Sequence, residues 1–143
     1  MIEKRLLRDP QTTWVLVLET GDEFTTSLQE FVAGQNLGAS HFTDIGAFSR
    51  CVLGYFDWQR KDYRCILVDE QVEVVSLIGD VARAEGRPSL HPHAVVAKSD
   101  GSAWGGHLLQ GHVRPTLELV ITETPAELER HFDRETGLAL IRR

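Results

Sequence analysis

The sequence predicts a single α+β domain built on a mainly antiparallel sheet with about two helices. Its 143 residues suffice for one domain and are too few for two ordinary ones. Hydrophobic residues make up 42% and charged residues 25%, a balance typical of globular proteins. Many short valine- and isoleucine-rich runs are separated by turns, and only two segments have helical features, so the pattern favours an antiparallel α+β arrangement.

The first elements predicted are a buried strand and an amphipathic helix. Residues 14–18 form a short apolar run of the kind found in buried strands. Asp22 is a suitable N-cap for the helix that follows. After it, apolar residues recur at i, i+4, i+7 and i+8 on one helical face, as Phe24, Leu28, Phe31 and Val32.

Strands dominate the rest of the chain, with a second helix near the end. Glycine, proline or polar turns separate further strands predicted at residues 39–45, 51–56, 63–68, 72–81, 91–97, 104–109, 117–121 and 138–141. Asp100-Gly101 is a strong hairpin dipeptide. The segment Thr124-Pro125-Ala126-Glu127 has a capping-box pattern with proline at the first helical position, which predicts a helix over 125–132. We expect one domain over residues 1–143, its core at about 14–141, with flexible ends at 1–10 and 142–143.

Composition excludes several classes of function. Lysine plus arginine number 15 against 21 aspartate plus glutamate, and the formal net charge of −6 disfavours a strongly basic nucleic-acid binder. The two cysteines, Cys51 and Cys65, cannot form a disulfide framework and are expected to be small buried residues. No apolar stretch approaches the length of a membrane span, and the N-terminus lacks the features of a signal peptide, so we expect a cytoplasmic protein.

Three histidines form the pattern most informative about function. His91 and His93 lie two apart on a predicted strand, so both side chains point to one face. His107 follows the Asp100-Gly101 hairpin, and the returning strand can bring it to the same face. Three converging imidazoles would suit zinc or another divalent metal. The alternative is a group of hydrogen-bonded or solvated histidines without a metal, and spacing alone leaves both interpretations open.

Other residues carry weaker signals. Glu118 lies in an apolar strand, where alternation predicts either a solvent-facing carboxylate or a ligand or general base near the histidines. Trp104 is expected in the core. The sequence contains no Ser/His/Asp order, phosphate-binding glycine loop or dinucleotide-binding fingerprint.

A series of motifs follows a fixed order along the chain. In the first half they are Leu18-Glu19-Thr20-Gly21, Ile45-Gly46-Ala47-Phe48 and Leu53-Gly54-Tyr55-Phe56, and in the second half His91-Pro92-His93, Gly105-Gly106-His107-Leu108 and Thr116-Leu117-Glu118. In this order they resemble the plant and prokaryote conserved (PPC) domain, over about residues 14–141.

The resemblance implies a compact α+β domain that assembles as a homotrimer. It also implies metal binding through the histidines that match His91, His93 and His107. In plants such domains follow AT-hook segments that bind DNA. Gly86-Arg87-Pro88 follows Glu85 rather than the first arginine of a hook, so we interpret it as a turn.

Two functional hypotheses follow. The first is a trimeric protein with a zinc-like site at His91, His93 and His107, where three protein ligands leave a position open for water or a small-molecule ligand. In this hypothesis Glu118 is the candidate general base or the acceptor that orients a ligand ring. The second is a non-enzymatic association module of a DNA-binding or regulatory assembly, in which this chain's own DNA contact is weak or absent.

Overall fold

The computed structural model describes residues 2–7 and 11–141, and a mainly antiparallel sheet with one helix makes up this part of the chain. The elements are β1 (Ile2–Leu7), β2 (Thr13–Glu19), α1 (Phe24–Gly34), β3 (Ala39–Asp57), β4 (Asp62–Val68), β5 (Val72–Ala84), β6 (Arg87–Ala97), β7 (Ala103–Glu123), β8 (Glu129–Asp133) and β9 (Leu138–Ile141). Residues 2–7, expected to be part of a flexible end, form β1 and pair with β2. The other residues expected to be flexible, 1, 8–10 and 142–143, lie outside the described residues.

The sheet has the order β1-β2-β7-β3-β5-β8-β9, with β4 paired to β3 and β6 paired to both β5 and β7. Each of these pairings is antiparallel except that of β5 with β8. Because β3 also pairs with both β5 and β7, the strands β3, β5, β6 and β7 form a closed circuit of backbone pairing. The histidine segments lie where β6 meets the first part of β7.

Two strands are much longer than predicted. The segments 39–45 and 51–56 both belong to β3, and the segments 104–109 and 117–121 both belong to β7. Gly46 does not end a strand. It lies at a register shift in β3 with φ of 152°, where a Cβ atom would come within 2.3 Å of the Thr116 carbonyl oxygen. Glycine therefore allows β3 to bend and continue through a bulge.

Helix α1 packs its apolar face on the sheet as predicted. Phe24, Leu28, Phe31 and Val32 are all buried. The N-cap is Glu23 rather than Asp22, because the Glu23 carboxylate accepts hydrogen bonds from the backbone N–H groups of the first helical turn and of Gly111. The predicted cap residue, Asp22, instead accepts a bond from the Glu19 N–H. In the described residues no helix is long and apolar enough to cross a bilayer.

The prediction of a second helix over 125–132 is wrong. This segment is irregular and then forms β8, which pairs in parallel with the end of β5. The Thr124 N–H donates to the Ala39 carbonyl, and the Arg83 N–H donates to the Leu128 carbonyl. These backbone bonds to distant strands outweigh a local capping preference of only about 1 kcal/mol.

Two expectations about burial are also wrong. Cys51 is buried as expected, but Cys65 is exposed on β4. Trp104, expected in the core, is 40% exposed, and the Lys98 ammonium lies 4.1 Å from the centre of its ring. Trp104 lies near the start of β7 on the outer side, where a cation can cover one face of the indole.

Candidate metal centre

Two hairpins bring the three predicted histidines together. A turn at residues 85–86 joins β5 to β6, and a loop over 98–102 joins β6 to β7. The second hairpin sets His93 directly opposite His107. His91 lies two residues before His93 and therefore on the same face of β6. The convergence predicted from alternation and from the Asp100-Gly101 dipeptide is thus present in the fold.

The spacing of the imidazoles is short enough for one shared cation. Nε2 of His91 and Nε2 of His93 are 3.2 Å apart. One ring nitrogen from each of His91, His93 and His107 lies within 4.8 Å of the others. Two nitrogens bound tetrahedrally to one zinc ion, at 2.0–2.1 Å each, lie about 3.3 Å apart. The three side chains can therefore reach a common divalent metal with small rotations.

An aromatic ring holds His107 in place. Tyr63, on β4, stacks on the His107 ring with centroids 4.9 Å apart and planes inclined by 29°. Gly54 makes this possible, because a Cβ atom there would lie 2.8 Å from Cδ1 of Tyr63. Gly106 allows the same close approach on β7, since its Cβ would meet the Gly54 carbonyl oxygen at 2.6 Å. Gly54 and Gly106 therefore allow the backbones of β3 and β7 to approach each other closely next to the His107 ring.

The electrostatic environment keeps two of the rings in the neutral form that binds metals. Burial, followed by the neighbouring imidazoles of His91 and His93, lowers the pKa of His107 to about 4. Burial is also the main cause that lowers the pKa of His91, and the Arg130 guanidinium contributes in the same direction, against the opposing effect of Asp80. Nδ1 of His107 is buried without a hydrogen-bond partner among the described residues. A buried ring nitrogen without a partner is costly unless a ligand satisfies it.

Asp80 and Arg130 form an ion pair beside His91 that the sequence analysis did not identify. Asp80 lies opposite His91 in the β5–β6 hairpin, with its Oδ2 atom 3.8 Å from His91 Nδ1. The Arg130 guanidinium donates to Oδ1 of Asp80 and to the Ser89 carbonyl oxygen. A two-residue turn at 85–86 would have been enough to place Asp80 opposite His91 from sequence. Nothing local predicts Arg130, since it reaches the site through β8.

Glu118 is not part of this group within one chain. It is exposed on β7, paired with Val17 and Ile45, eleven residues beyond His107. Among the described residues, the ligand atoms that converge are those of His91, His93 and His107, without Glu118. The carboxylate that faces a histidine ring of this group is that of Asp80.

A cleft of about 170 Å³ adjoins the histidines. Its lining includes Tyr63, His91, His107 and Arg130, together with the aliphatic residues Leu138 and Leu140 of β9. The cleft has room for a molecule of a few heavy atoms next to the imidazoles.

The outer face of the sheet beside the triad exposes several aliphatic side chains. One row of cross-strand neighbours runs over this face, from Val120 on β7 through Thr43 on β3 and Ile78 on β5 to His93 on β6. Around this row five aliphatic side chains are 40–62% exposed, namely Ile45, Val75, Ile78, Val95 and Val120. A concentration of exposed aliphatic side chains on one face is typical of an interface between proteins.

Solved structures of other proteins have the same fold. A plant- and prokaryote-conserved protein from Pyrococcus horikoshii superposes with a TM-score of 0.86 at 26% identity, covering 99% of this chain and 95% of that one. A metal-containing protein from Archaeoglobus fulgidus has a TM-score of 0.85 at 29% identity, covering 100% and 99%. A protein from Ralstonia eutropha, named as a candidate DNA-binding protein, has a TM-score of 0.83 at 29% identity, covering 90% and 89%.

Sequence comparisons agree with these structures. Residues 8–125 match the Plants and Prokaryotes Conserved (PCC) domain. A curated relative, the bifunctional protein GlmU from Synechococcus, is 31% identical over 122 residues. The alignment covers 84% of this chain and only 18% of that protein, so the chain spans less than a fifth of the length of the relative.

Proposed function

This chain belongs to the Plants and Prokaryotes Conserved domain family, and we propose that it is a homotrimeric metal-binding protein. In this proposal His91, His93 and His107 hold zinc or another divalent cation, and the adjoining cleft admits a small-molecule ligand. The observation that carries the proposal is the convergence of three imidazole nitrogens within 4.8 Å on one face of the sheet.

The residues present fit such an ion in type and in protonation. Imidazole nitrogens are ligands that zinc, copper, nickel and iron accept, and they bind only when neutral. Burial and mutual repulsion favour the neutral form of His91 and His107, because both have lowered pKa values. The unpartnered buried nitrogen of His107 supports the same assignment. The metal-containing relative from Archaeoglobus fulgidus, at 29% identity over the whole chain, adds independent support.

Three protein ligands distinguish a reactive or ligand-binding centre from a structural one. Structural zinc sites are closed by four protein ligands, whereas three leave one position for water or a small anion. When bound, such a cation supplies Lewis acidity to an oxygen atom in the open position. The chain's own contribution is to hold the three nitrogens on two paired strands and to shield one side with Tyr63 and the aliphatic wall of β9.

The exposed apolar face supports self-association. Ile45, Ile78 and Val120 would be costly to leave in water, and the surface of a neighbouring copy of the chain can cover them. Because His93 lies in the same cross-strand row as Ile78, the proposed interface borders the metal centre. A neighbouring subunit would then help to enclose the site.

DNA binding is the second candidate function, because the relative from Ralstonia eutropha is named for it. Charge argues against strong binding by this chain alone. Three chains of −6 each carry −18, which repels a duplex unless positive charge is clustered on one surface. A regulatory role in which a partner supplies the DNA contact is compatible with the same trimer.

The proposal is tested by metal content and affinity. Protein purified without chelator and without nickel resin is analysed for bound metals, and zinc is then titrated calorimetrically into metal-free protein. His93→Ala should weaken zinc binding at least a hundredfold, because one of three ligands is lost. His112→Ala is the matched control, since this half-buried histidine contacts Arg50 at a different part of β7 and should not change the affinity. Equal affinities of wild type and His93→Ala, or no binding by either, would contradict the proposal.

A further inference from the structure

We infer that Asp80 is a positioning residue for the metal centre, held in place by Arg130 and acting through His91. The Asp80 carboxylate keeps the single proton of neutral His91 on Nδ1, so that the lone pair of Nε2 is free to bind the metal. This inference rests on the proposed metal-binding function and adds to it the group that sets the tautomer of one ligand.

The orientation of His91 separates the roles of its two nitrogens. Its Nε2 lies 3.2 Å from Nε2 of His93, on the side where the three imidazoles converge. Its Nδ1 points the other way, to Oδ2 of Asp80 at 3.8 Å. A movement of about 0.9 Å would shorten this contact to an ordinary hydrogen bond of about 2.9 Å. Such a contact is the usual way in which a carboxylate orients a metal-binding imidazole.

Arg130 determines which oxygen of Asp80 faces His91. The guanidinium is only 5% exposed and donates to Oδ1 of Asp80 and to the Ser89 carbonyl oxygen. Because Oδ1 is occupied by Arg130, Oδ2 is the oxygen left for the imidazole. His41 is the neighbour of Asp80 on the opposite strand, and in the described part of the chain it forms no hydrogen bond or ion pair with this carboxylate. Arg130 reaches the ion pair through the parallel pairing of β8 with β5.

The chemistry of a carboxylate makes the tautomer predictable. An ionised carboxylate only accepts hydrogen bonds, and a neutral imidazole has one N–H and one acceptor nitrogen. Facing Asp80, His91 is therefore protonated at Nδ1 and has a free lone pair at Nε2. The site is preorganised, because the metal does not have to displace a proton from the ligand nitrogen.

Asp80→Asn tests this inference through the proton position as well as through affinity. Arg130 needs an oxygen acceptor, so the asparagine oxygen should stay with Arg130 and the amide NH2 should face His91. A donor in that place favours the opposite tautomer, with the proton on Nε2. In metal-free protein, nitrogen-15 NMR should show the Nδ1–H tautomer of His91 in wild type and the Nε2–H tautomer in Asp80→Asn. Calorimetric zinc affinity should fall about tenfold to a hundredfold.

A matched control removes the same charge elsewhere. Glu70 forms an ion pair with Lys98 beyond the end of β6, with N and O 2.7 Å apart. Glu70→Gln therefore loses one negative charge from an ion pair without touching the triad, and it should keep wild-type zinc affinity within about twofold and the wild-type His91 tautomer.

A second variant covers the case in which Asp80→Asn does not fold. Arg130→Lys preserves charge but loses the two-pronged contact with Asp80 and Ser89, and it should also weaken zinc binding and mix the His91 tautomers. An unchanged tautomer with unchanged affinity in the folded variants would overturn the inference while wild type still binds zinc. Failure of wild type to bind zinc would instead overturn the proposed function.

Discussion

Replacement of Asp44 by asparagine should change how the stability of the protein depends on pH. Asp44 lies on the inner face of β3, is 3% exposed, and has neither carboxylate oxygen hydrogen-bonded among the described residues. Its cross-strand partners are Leu77 and Leu119, both completely buried. Burial raises the pKa of the Asp44 carboxyl from 3.8 to about 8, so the folded protein keeps this acid protonated at neutral pH.

The sign and size of the effect follow from the difference in pKa between the folded and unfolded chains. The folded pKa is the higher one, so the stabilisation is fully present below about 3.8 and is lost as pH rises to about 8. Each pKa unit corresponds to about 1.4 kcal/mol, so this carboxyl alone should remove about 5 kcal/mol of unfolding free energy between pH 4 and pH 8. Asparagine cannot ionise and does not contribute this loss.

Urea denaturation at a fixed chain concentration measures the effect. The unfolding free energy of Asp44→Asn minus that of wild type should be about 5 kcal/mol larger at pH 8 than at pH 4, which means that the variant gains stability relative to wild type as pH rises. Asp69→Asn, which changes an exposed aspartate, is the control and should follow the wild-type pH profile. If the wild-type and Asp44→Asn profiles stay parallel within about 1 kcal/mol, the folded protein does not hold Asp44 protonated at neutral pH.

Three further predictions concern the metal centre, the assembly and DNA. Zinc affinity should fall by no more than about a hundredfold per pH unit between pH 6.5 and 5. The reason is that the lowered pKa of His107, about 4, keeps this ligand neutral in that range. A calorimetric series in which the affinity falls about a thousandfold per pH unit would mean that all three ligands titrate together. Light scattering should give about 48 kDa for wild type, three times the 16.1 kDa of one chain. Ile78→Asp should shift that mass towards the monomer by placing a charge in the exposed apolar face, and a wild-type mass of one chain at micromolar concentration would exclude the trimer. Binding to an A·T-rich duplex at physiological salt should be weak because of the net charge of −6; nanomolar affinity in a mobility-shift titration would contradict this.

Local patterns were sufficient to predict the helix face and the histidine hairpin. The spacing of Phe24, Leu28 and Val32 defines one side of α1, and all three are buried against the sheet. The alternation of His91 and His93, together with the Asp100-Gly101 turn, predicts their convergence with His107, because hairpin register depends on residues close in sequence.

Features that depend on distant backbone were not predictable in the same way. The capping pattern at 124–127 is a sound local helix signal, but the chain there bonds to β3 and β5 instead. Gly46 breaks the hydrophobic pattern of β3 without ending the strand, because a bulge absorbs the extra residue. Arg130 arrives beside Asp80 only through β8, so no spacing argument could identify the ion pair next to His91.

Anomalous diffraction at the zinc absorption edge, from crystals of protein loaded with zinc, shows whether the three histidines hold a metal ion. We expect one strong peak per chain, 2.0–2.1 Å from a ring nitrogen of each of His91, His93 and His107, with a ligand from outside these side chains completing the coordination. No peak at the triad, with the three imidazoles bonded only to one another, to water or to protein, would contradict the claim and leave a purely structural histidine group.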